Sequence, residues 1–325
     1  MRVENEIKES DGAVEIPLRG AGGEPVDLMR TIRSHGLASL PPMRHDDERG
    51  TFEVTLCADG AGSRTILVSP AGPGLARATI AGLPTSREEE AALVAGVRHV
   101  LRLDEDLSPF YELATRDPEL SWAAAGAGRM VRSPSVFEEV VKTICTTNCA
   151  WSATERMVGA IVEHLGERAP GAPSSGPYGR AFPKPEAMAE AGENFYREVA
   201  RAGYRGRYLL ALSRSVAGGE VDLEVLGDAP PEELPDEELE RRLLALPGVG
   251  PYAAAHIMTM LGRYSRLILD SWTHPTYARL SGRAATDAEI LARFKPYGRY
   301  AGLAFWLYLT RGWVSTDPDS WSKDR

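Results

Sequence analysis

Cysteine is nearly absent: the 325-residue chain holds three, Cys57, Cys145 and Cys149, too few for a disulfide framework. Cys145 and Cys149 make a C-x3-C pair, most simply two core-facing thiols on one helix. The six histidines are scattered, with no HxxH or HExxH arrangement, so neither a structural zinc site nor a four-cysteine iron–sulfur cluster is expected. Long apolar runs are missing too. No stretch approaches the roughly 20 apolar residues that span a bilayer, and the opening MRVENEIKESDG lacks the apolar core of a secretory signal. A cytoplasmic protein with no membrane partner is the expectation. Positive charge is in deficit, with 37 Lys and Arg against 46 Asp and Glu for a net charge of −9. That weighs against a nucleic-acid partner, because phosphate binding needs local positive charge. The charge is uneven, however. Residues 219–240 hold ten acids and no base, whereas residues 197–214 hold Arg197, Arg201, Arg205, Arg207 and Arg214. Basic side chains that share a face can still bind DNA, so the bulk charge decides little.

A composition of 43% hydrophobic and 26% charged residues suits a soluble globular protein long enough for two or three domains. From residue 13 to about 80, AVEIPL, TFEVTLCA and RTILVSP alternate with Gly- and Asp-rich turns and predict strands, interrupted by one helical stretch, VDLMRTIRSHGL. An antiparallel sheet with helices on one face is expected. From Ser86 onward helices dominate: SREEEAALVAGVRHVLRL opens with an N-cap serine and first-turn acids. SPSVFEEVVKTICTTNCAW and SATERMVGAIVEHLG follow, the latter ended by Gly166. A Pro/Gly/Ser loop, ERAPGAPSSGPYGRAFPKP, precedes further helices, and the acidic stretch reads as a linker. The fold class is therefore α+β. A polar tail (1–12) precedes a sheet domain (13–110), a helical domain (111–313, its first helices beginning near 86) and a second tail (314–325).

The most informative segment is LLALPGVGPYAAAHIMTMLGRYSRLILDSWTHPTYARL. Leu246-Pro247-Gly248-Val249-Gly250 joins two helices through a turn with glycines at alternate positions. Glycine accepts positive φ and lets the backbone approach a ligand. Pro251 suits the first helical position, and the free N–H groups that follow can seat a phosphate oxygen. A plain helix corner explains the same residues as well. Asp270 lies twenty residues past Gly250, behind the apolar run Leu267–Leu269. It can serve as an N-cap, as a carboxylate facing a cleft, or as both.

Hairpin and aspartate together resemble the signature of the helix-hairpin-helix DNA glycosylases, in which a Gly/Pro-rich hairpin is followed at this spacing by the aspartate of base excision. The resemblance runs from about residue 13 to 313, through DEDLSPFYELATRDPEL, SVFEEVVKTICTTNCAW, AGYRGRYLLALSRSV and YGRYAGLAFWLYLTRGW. It is closest to the 8-oxoguanine glycosylases and the inducible bacterial 3-methyladenine glycosylases.

That resemblance implies a monomer acting on double-stranded DNA that contains a damaged base, nucleoid-associated in a bacterium. Gly248, Val249 and Gly250 would grip the strand. The damaged nucleotide would be flipped into a pocket, and Asp270 would stabilise the cationic sugar as the glycosidic bond breaks. Bifunctional members carry a lysine two residues after the last hairpin glycine; here that residue is Tyr252, which implies water as nucleophile and no strand nicking. Lys142 is the nearest other amine in motif terms, more simply a solvated surface charge. Asn148 falls at the minor-groove probe, though ordinary turn chemistry accounts for it nearly as well. Tyr204 and Arg205 match a pair that wedges the duplex and contacts the orphaned base, or are a half-buried tyrosine and a solvated arginine. His256, one helical turn after Tyr252, is expected at the base pocket or as a core histidine. Phe305 stands where 8-oxoguanine enzymes place a base-reading glutamine. With Trp272 and Tyr252 it points to the alkylation branch, where aromatic faces stack on electron-poor purines; Phe305 and Trp272 also suit a core. Tyr204-Arg205 and CTTN point to the oxidised-guanine branch. Alkylated purines are the preferred substrate, an oxidised guanine or other modified base the alternative, and a silent DNA-binding module or a helical scaffold the non-enzymatic ones. No cofactor is expected, apart from a monovalent cation that hairpin carbonyls could hold.

Overall fold

A computed structural model describes residues 12–58, 62–82 and 86–313. Apart from Gly12, the two expected tails lie outside the described residues. Five strands, β1 (Ala13–Pro17), β2 (Met43–Asp46), β3 (Thr51–Ala58), β4 (Gly62–Pro70) and β5 (Leu75–Ile80), form one antiparallel sheet in the order β1-β5-β4-β3-β2. Alternation places Phe52, Val54 and Leu56 of β3 on one face with Ile66 and Val68 of β4 and Ala76, Ala78 and Ile80 of β5. The helix α1 (Leu28–Ile32) and the longer α2 (Arg87–Val100) pack into the same core. Ser86 caps α2 as its sequence predicts, its hydroxyl accepting from Glu89 N at 3.1 Å. Burying Leu93, Val97 and Val100 of α2 contributes about 1.5–3 kcal/mol each.

VDLMRTIRSHGL is α-helical only over Leu28–Ile32, with a 3-10 turn beginning at Gly36. The chain extends between them at His35, so that Ser34 and His35 reach the segment around Val131, within the helical body. Ser34 Oγ accepts from Val131 N at 3.0 Å, and His35 Nε2 lies 2.6 Å from the Val131 carbonyl. Trp306 Nε1 donates to the Ser34 carbonyl at 2.7 Å, and a buried Arg129–Glu24 ion pair adds a second lock.

The helical body comprises α3 (Ser108–Ala114), α4 (Val136–Thr146), α5 (Trp151–Leu165), α6 (Pro185–Glu190), α7 (Gly192–Asn194), α8 (Arg205–Ala217) and α9 (Glu224–Asp228). It continues through α10 (Asp236–Leu244), α11 (Pro251–Met260), α12 (Thr273–Ser281), α13 (Asp287–Phe294) and α14 (Ala301–Thr310). It has two cores. One gathers α4, α5, α8, α10 and the Ala253, Ala254, Ile257 and Met258 side of α11; the other gathers α3, α12, α13, α14 and the Ala255 and Met260 side. α11, buried from Ala253 to Met260, is thus the wedge between two lobes. The acidic stretch is not merely a linker: Glu224 accepts from Val136 N at 3.0 Å and Phe137 N at 3.2 Å, capping α4. A carboxylate suits that end of a helix. No helix among the described residues is long and apolar enough to cross a membrane.

Candidate active site

The hairpin between α10 and α11 is pinned from within. Gly248 takes φ +81°, and a Cβ there would stand 2.9–3.0 Å from the Tyr208 side chain of α8. Val249 is buried, so its side chain anchors the turn and only its main chain can face a ligand. Gly250 is the reverse case, with nothing within 4 Å of a Cβ. It is also the N-cap of α11, and no side chain caps that helix. The hairpin therefore offers open backbone and uncapped N–H groups, which suit a phosphate oxygen.

Asp270 is half-buried, and its side chain caps the turn that leads into α12. Its Oδ1 accepts from Trp272 N at 2.9 Å and Thr273 N at 2.7 Å, while its own amide donates to Thr273 Oγ1 at 2.8 Å. No hydrogen bond holds Oδ2 among the described residues. His274, which sequence reasoning missed, braces the cap. Its Nδ1 lies 2.8 Å from the Asp270 carbonyl and its Nε2 2.6 Å from Asp287 Oδ1. Two acceptors require two N–H donors, and these bonds raise the His274 pKa. One carboxylate oxygen is thus fixed by backbone donors and the other is left for a ligand.

Tyr252 opens α11 at the seam, packed against both cores. Burial raises its phenol pKa, a hydrogen bond with Thr146 opposes that, and the Asp270 charge adds to it. The His256 ring lies 6.0 Å from the Tyr252 ring, and burial lowers its pKa to about 4 although Asp270 pulls the other way. Tyr252, His256 and Asp270 therefore share one neighbourhood. Trp272 remains 39% exposed, its ring 5.7 Å from Trp306 and 5.9 Å from Trp313. No local signal singled out Trp306 or Trp313.

Three expectations are corrected. Phe305 is fully buried, edge-on to Phe294 at 5.3 Å; it belongs to the aromatic core, because α14 is buried on every side and spacing cannot tell which side faces a site. Lys142 is no surface charge. It is fully buried, paired with Glu138 at 2.6 Å under the Leu40 carbonyl, because α4 too is enclosed all round. Arg205 is 7% exposed and turned inward. Its Nε donates to the Thr147 carbonyl at 2.9 Å and its Nη2 to the Asn148 carbonyl at 3.0 Å. It clamps the turn and does not stand free for an orphaned base. Asn148 itself is exposed at the tip with φ +47°, a region asparagine tolerates better than most residues. Tyr204 is exposed and lies under the Arg205 guanidinium at 4.6 Å.

Asn148, Tyr204, Gly250, Trp272 and Asp270 are thus presented by the turns around α11. The solved 3-methyladenine DNA glycosylase of Archaeoglobus fulgidus superposes with a TM-score of 0.69 at 20% identity, covering 94% of this chain and 100% of that one. The fold is that of the DNA glycosylases. The apo 8-oxoguanine glycosylase/lyase of Clostridium acetobutylicum matches equally well, with a TM-score of 0.69 at 20% identity over 92% of this chain and 96% of that one. In sequence, a DNA-3-methyladenine glycosylase of Bacillus subtilis (strain 168) is 22% identical over 183 residues, 56% of this chain and 58% of the relative. The match therefore spans less than two thirds of that relative. No protein-family model matches the chain. The glycosylase fold accounts for the α+β layout, with the sheet domain docked beside the helical body.

Proposed function

We propose that the protein is a DNA base-excision glycosylase that flips a damaged base and hydrolyses its N-glycosidic bond, with Asp270 as the catalytic carboxylate. The observation that carries this reading is the half-anchored Asp270, one oxygen fixed by backbone N–H groups and the other free beside Tyr252. A carboxylate preorganised in this way stabilises positive charge developing on the extruded sugar. Gly248 and Gly250 present backbone to the phosphates, Val249 anchors that turn, and Asn148 and Tyr204 meet the duplex. Tyr252 replaces the amine that a Schiff-base mechanism would need, and Lys142 is sealed against Glu138. The reaction therefore uses water and leaves an abasic site without nicking. Tyr252 and the exposed Trp272 offer π-faces to an electron-poor ring, which favours alkylated purines. All the groups named come from one chain, so a monomer suffices. The chemistry calls for no cofactor, and a monovalent cation on hairpin carbonyls would only strengthen the grip on DNA.

The test is a panel of duplexes bearing alkylated, oxidised and deaminated bases, incubated with the wild type and Asp270→Asn and then cleaved with alkali. The wild type should release an alkylated purine, and Asp270→Asn should be slower by about 10²–10³-fold, the loss of one preorganised charge. Release of no base from any duplex would refute the enzymatic reading. Efficient borohydride trapping would refute the monofunctional one.

A further inference from the structure

Two buried imidazoles have no part in the chemistry assigned to Asp270. His35, from the sheet domain, and His256, from the middle of α11, meet edge to face with ring centroids 6.3 Å apart. They are 3% and 5% exposed, and among the described residues Nδ1 of His35 and both ring nitrogens of His256 have no hydrogen-bond partner. Leaving a buried polar group unsatisfied is costly, because it has given up its water partners and gained none. Leucine or phenylalanine would fill the same space without that cost, so the arrangement asks for a partner that the described residues do not supply. The donor pattern is defined. His35 Nε2 lies 2.6 Å from the Val131 carbonyl, which needs an N–H there, so the neutral ring keeps its lone pair on Nδ1. A neutral His256 offers one N–H and one lone pair. Both rings are held neutral, mainly by burial, with pKa values of about 3 for His35 and about 4 for His256. For His35 the proximity of His256, Arg102 and Lys142 works in the same direction.

We propose that His35 and His256 read the hydrogen-bonding edge of the extruded base behind Tyr252 and Asp270. The His256 N–H donates to a ring nitrogen or carbonyl of the base, and the His35 lone pair accepts from its amino group or ring N–H. The substrate class is an alkylated purine that keeps such a donor beside an acceptor. Neutral imidazoles do not repel a cationic purine ring, whereas protonated ones would. The proposal rests on the base-excision reading above and adds that the sheet domain contributes to base choice.

The test uses DNA methylated with dimethyl sulfate, scoring release of 3-methyladenine and 7-methylguanine by full-length wild type, His256→Leu, His256→Gln and His35→Phe. His256→Leu and His35→Phe should each lower kcat/KM by about 10- to 100-fold, the loss of one or two buried hydrogen bonds. His256→Gln, which keeps a donor and an acceptor, should recover most of the rate. All three should bind a duplex carrying an abasic analogue within about twofold of wild type, because phosphate contacts set that affinity. His256→Leu should melt no lower than wild type. Unchanged excision by a folded His256→Leu overturns the proposal, as does a leucine variant that melts lower and binds the abasic duplex weakly, because that is a structural role. If the wild type releases no base, the base-excision reading falls first. A second measurement needs no histidine variant: imidazole ¹⁵N shifts of Asp270→Asn bound to a duplex with 7-methylguanine or to the abasic duplex. Shifts at both rings with the base alone support the proposal, and identical spectra overturn it.

Discussion

Replacing Arg205 with methionine keeps the aliphatic stem and removes the guanidinium that holds the turn after α4. That group is buried, donates to the Thr147 and Asn148 carbonyls, and stacks 4.6 Å from the Tyr204 ring. Hydrogen bonds from a charged donor contribute about 1.5–3 kcal/mol each. Asn148 is exposed, so water can replace its lost partner, whereas Thr147 is half-buried and recovers less. A destabilisation of about 2–4 kcal/mol is expected. Arg205→Lys should show most of it, because an ammonium cannot serve two carbonyls as a planar fork does. Urea unfolding measures the stability, and amide exchange across residues 146–150 reports the turn. Excision with each of the four bases opposite the lesion measures function. If the protein excises bases as proposed, a clamp predicts that all four rates fall by a similar factor, since the Thr147–Asn148 turn loosens whatever base lies opposite. The clamp is refuted if Arg205→Met is as stable as wild type to within about 0.5 kcal/mol while the ranking of opposite bases changes; Arg205 would then leave the turn to touch the orphaned base.

The two hairpin glycines should separate folding from binding. Gly248→Ala forces a Cβ at φ +81° into Tyr208 and should cost at least about 1–2 kcal/mol of stability. Gly250→Ala meets open space, should leave stability within about 0.5 kcal/mol, and should still weaken duplex binding in gel shifts; unchanged affinity would remove Gly250 from the interface. Lys142→Met strands Glu138 in the core and should cost about 3–5 kcal/mol, most of it recovered in a double variant with Glu138→Leu. Equal stability of all three proteins in urea would argue against a buried ion pair. His256 titrates at about 4 in the folded chain and near 6.5 unfolded. Between those values the unfolded chain binds the extra proton, so stability is lost as pH falls. Relative to His256→Leu, the wild type should lose about 1.4 kcal/mol per pH unit from about pH 6.5 down to about pH 4. Parallel stability curves for the two proteins would mean that His256 is not held neutral.

What the sequence by itself determined is local. Ser86 and Ser135 accept from the amides three residues on, Gly166 closes α5, and Gly248 takes the positive φ of its turn, each set by a neighbour within one helical turn. The strand pattern foretold an antiparallel sheet because side-chain alternation needs no distant partner. The spacing from Gly250 to Asp270 was legible for the same reason, and Asp270 caps the turn before α12, two residues ahead of the helix's own N-cap at Trp272, through bonds from the Trp272 and Thr273 amides. Where each side chain points once helices pack is decided elsewhere. α4 and α14 are enclosed on all sides: Glu138, Glu139 and Lys142 give α4 the pattern of a solvent-facing side although all three are buried, and α14 has no polar face to orient it, so neither pattern could show that Lys142 is sealed in or that Phe305 lies in the core. Arg205 turned inward because the carbonyls of Thr147 and Asn148, distant in the chain, lie within its reach. His35 meets His256 across the junction of sheet and helices, and only tertiary contact could bring them together, since neither segment carries a sign of the other.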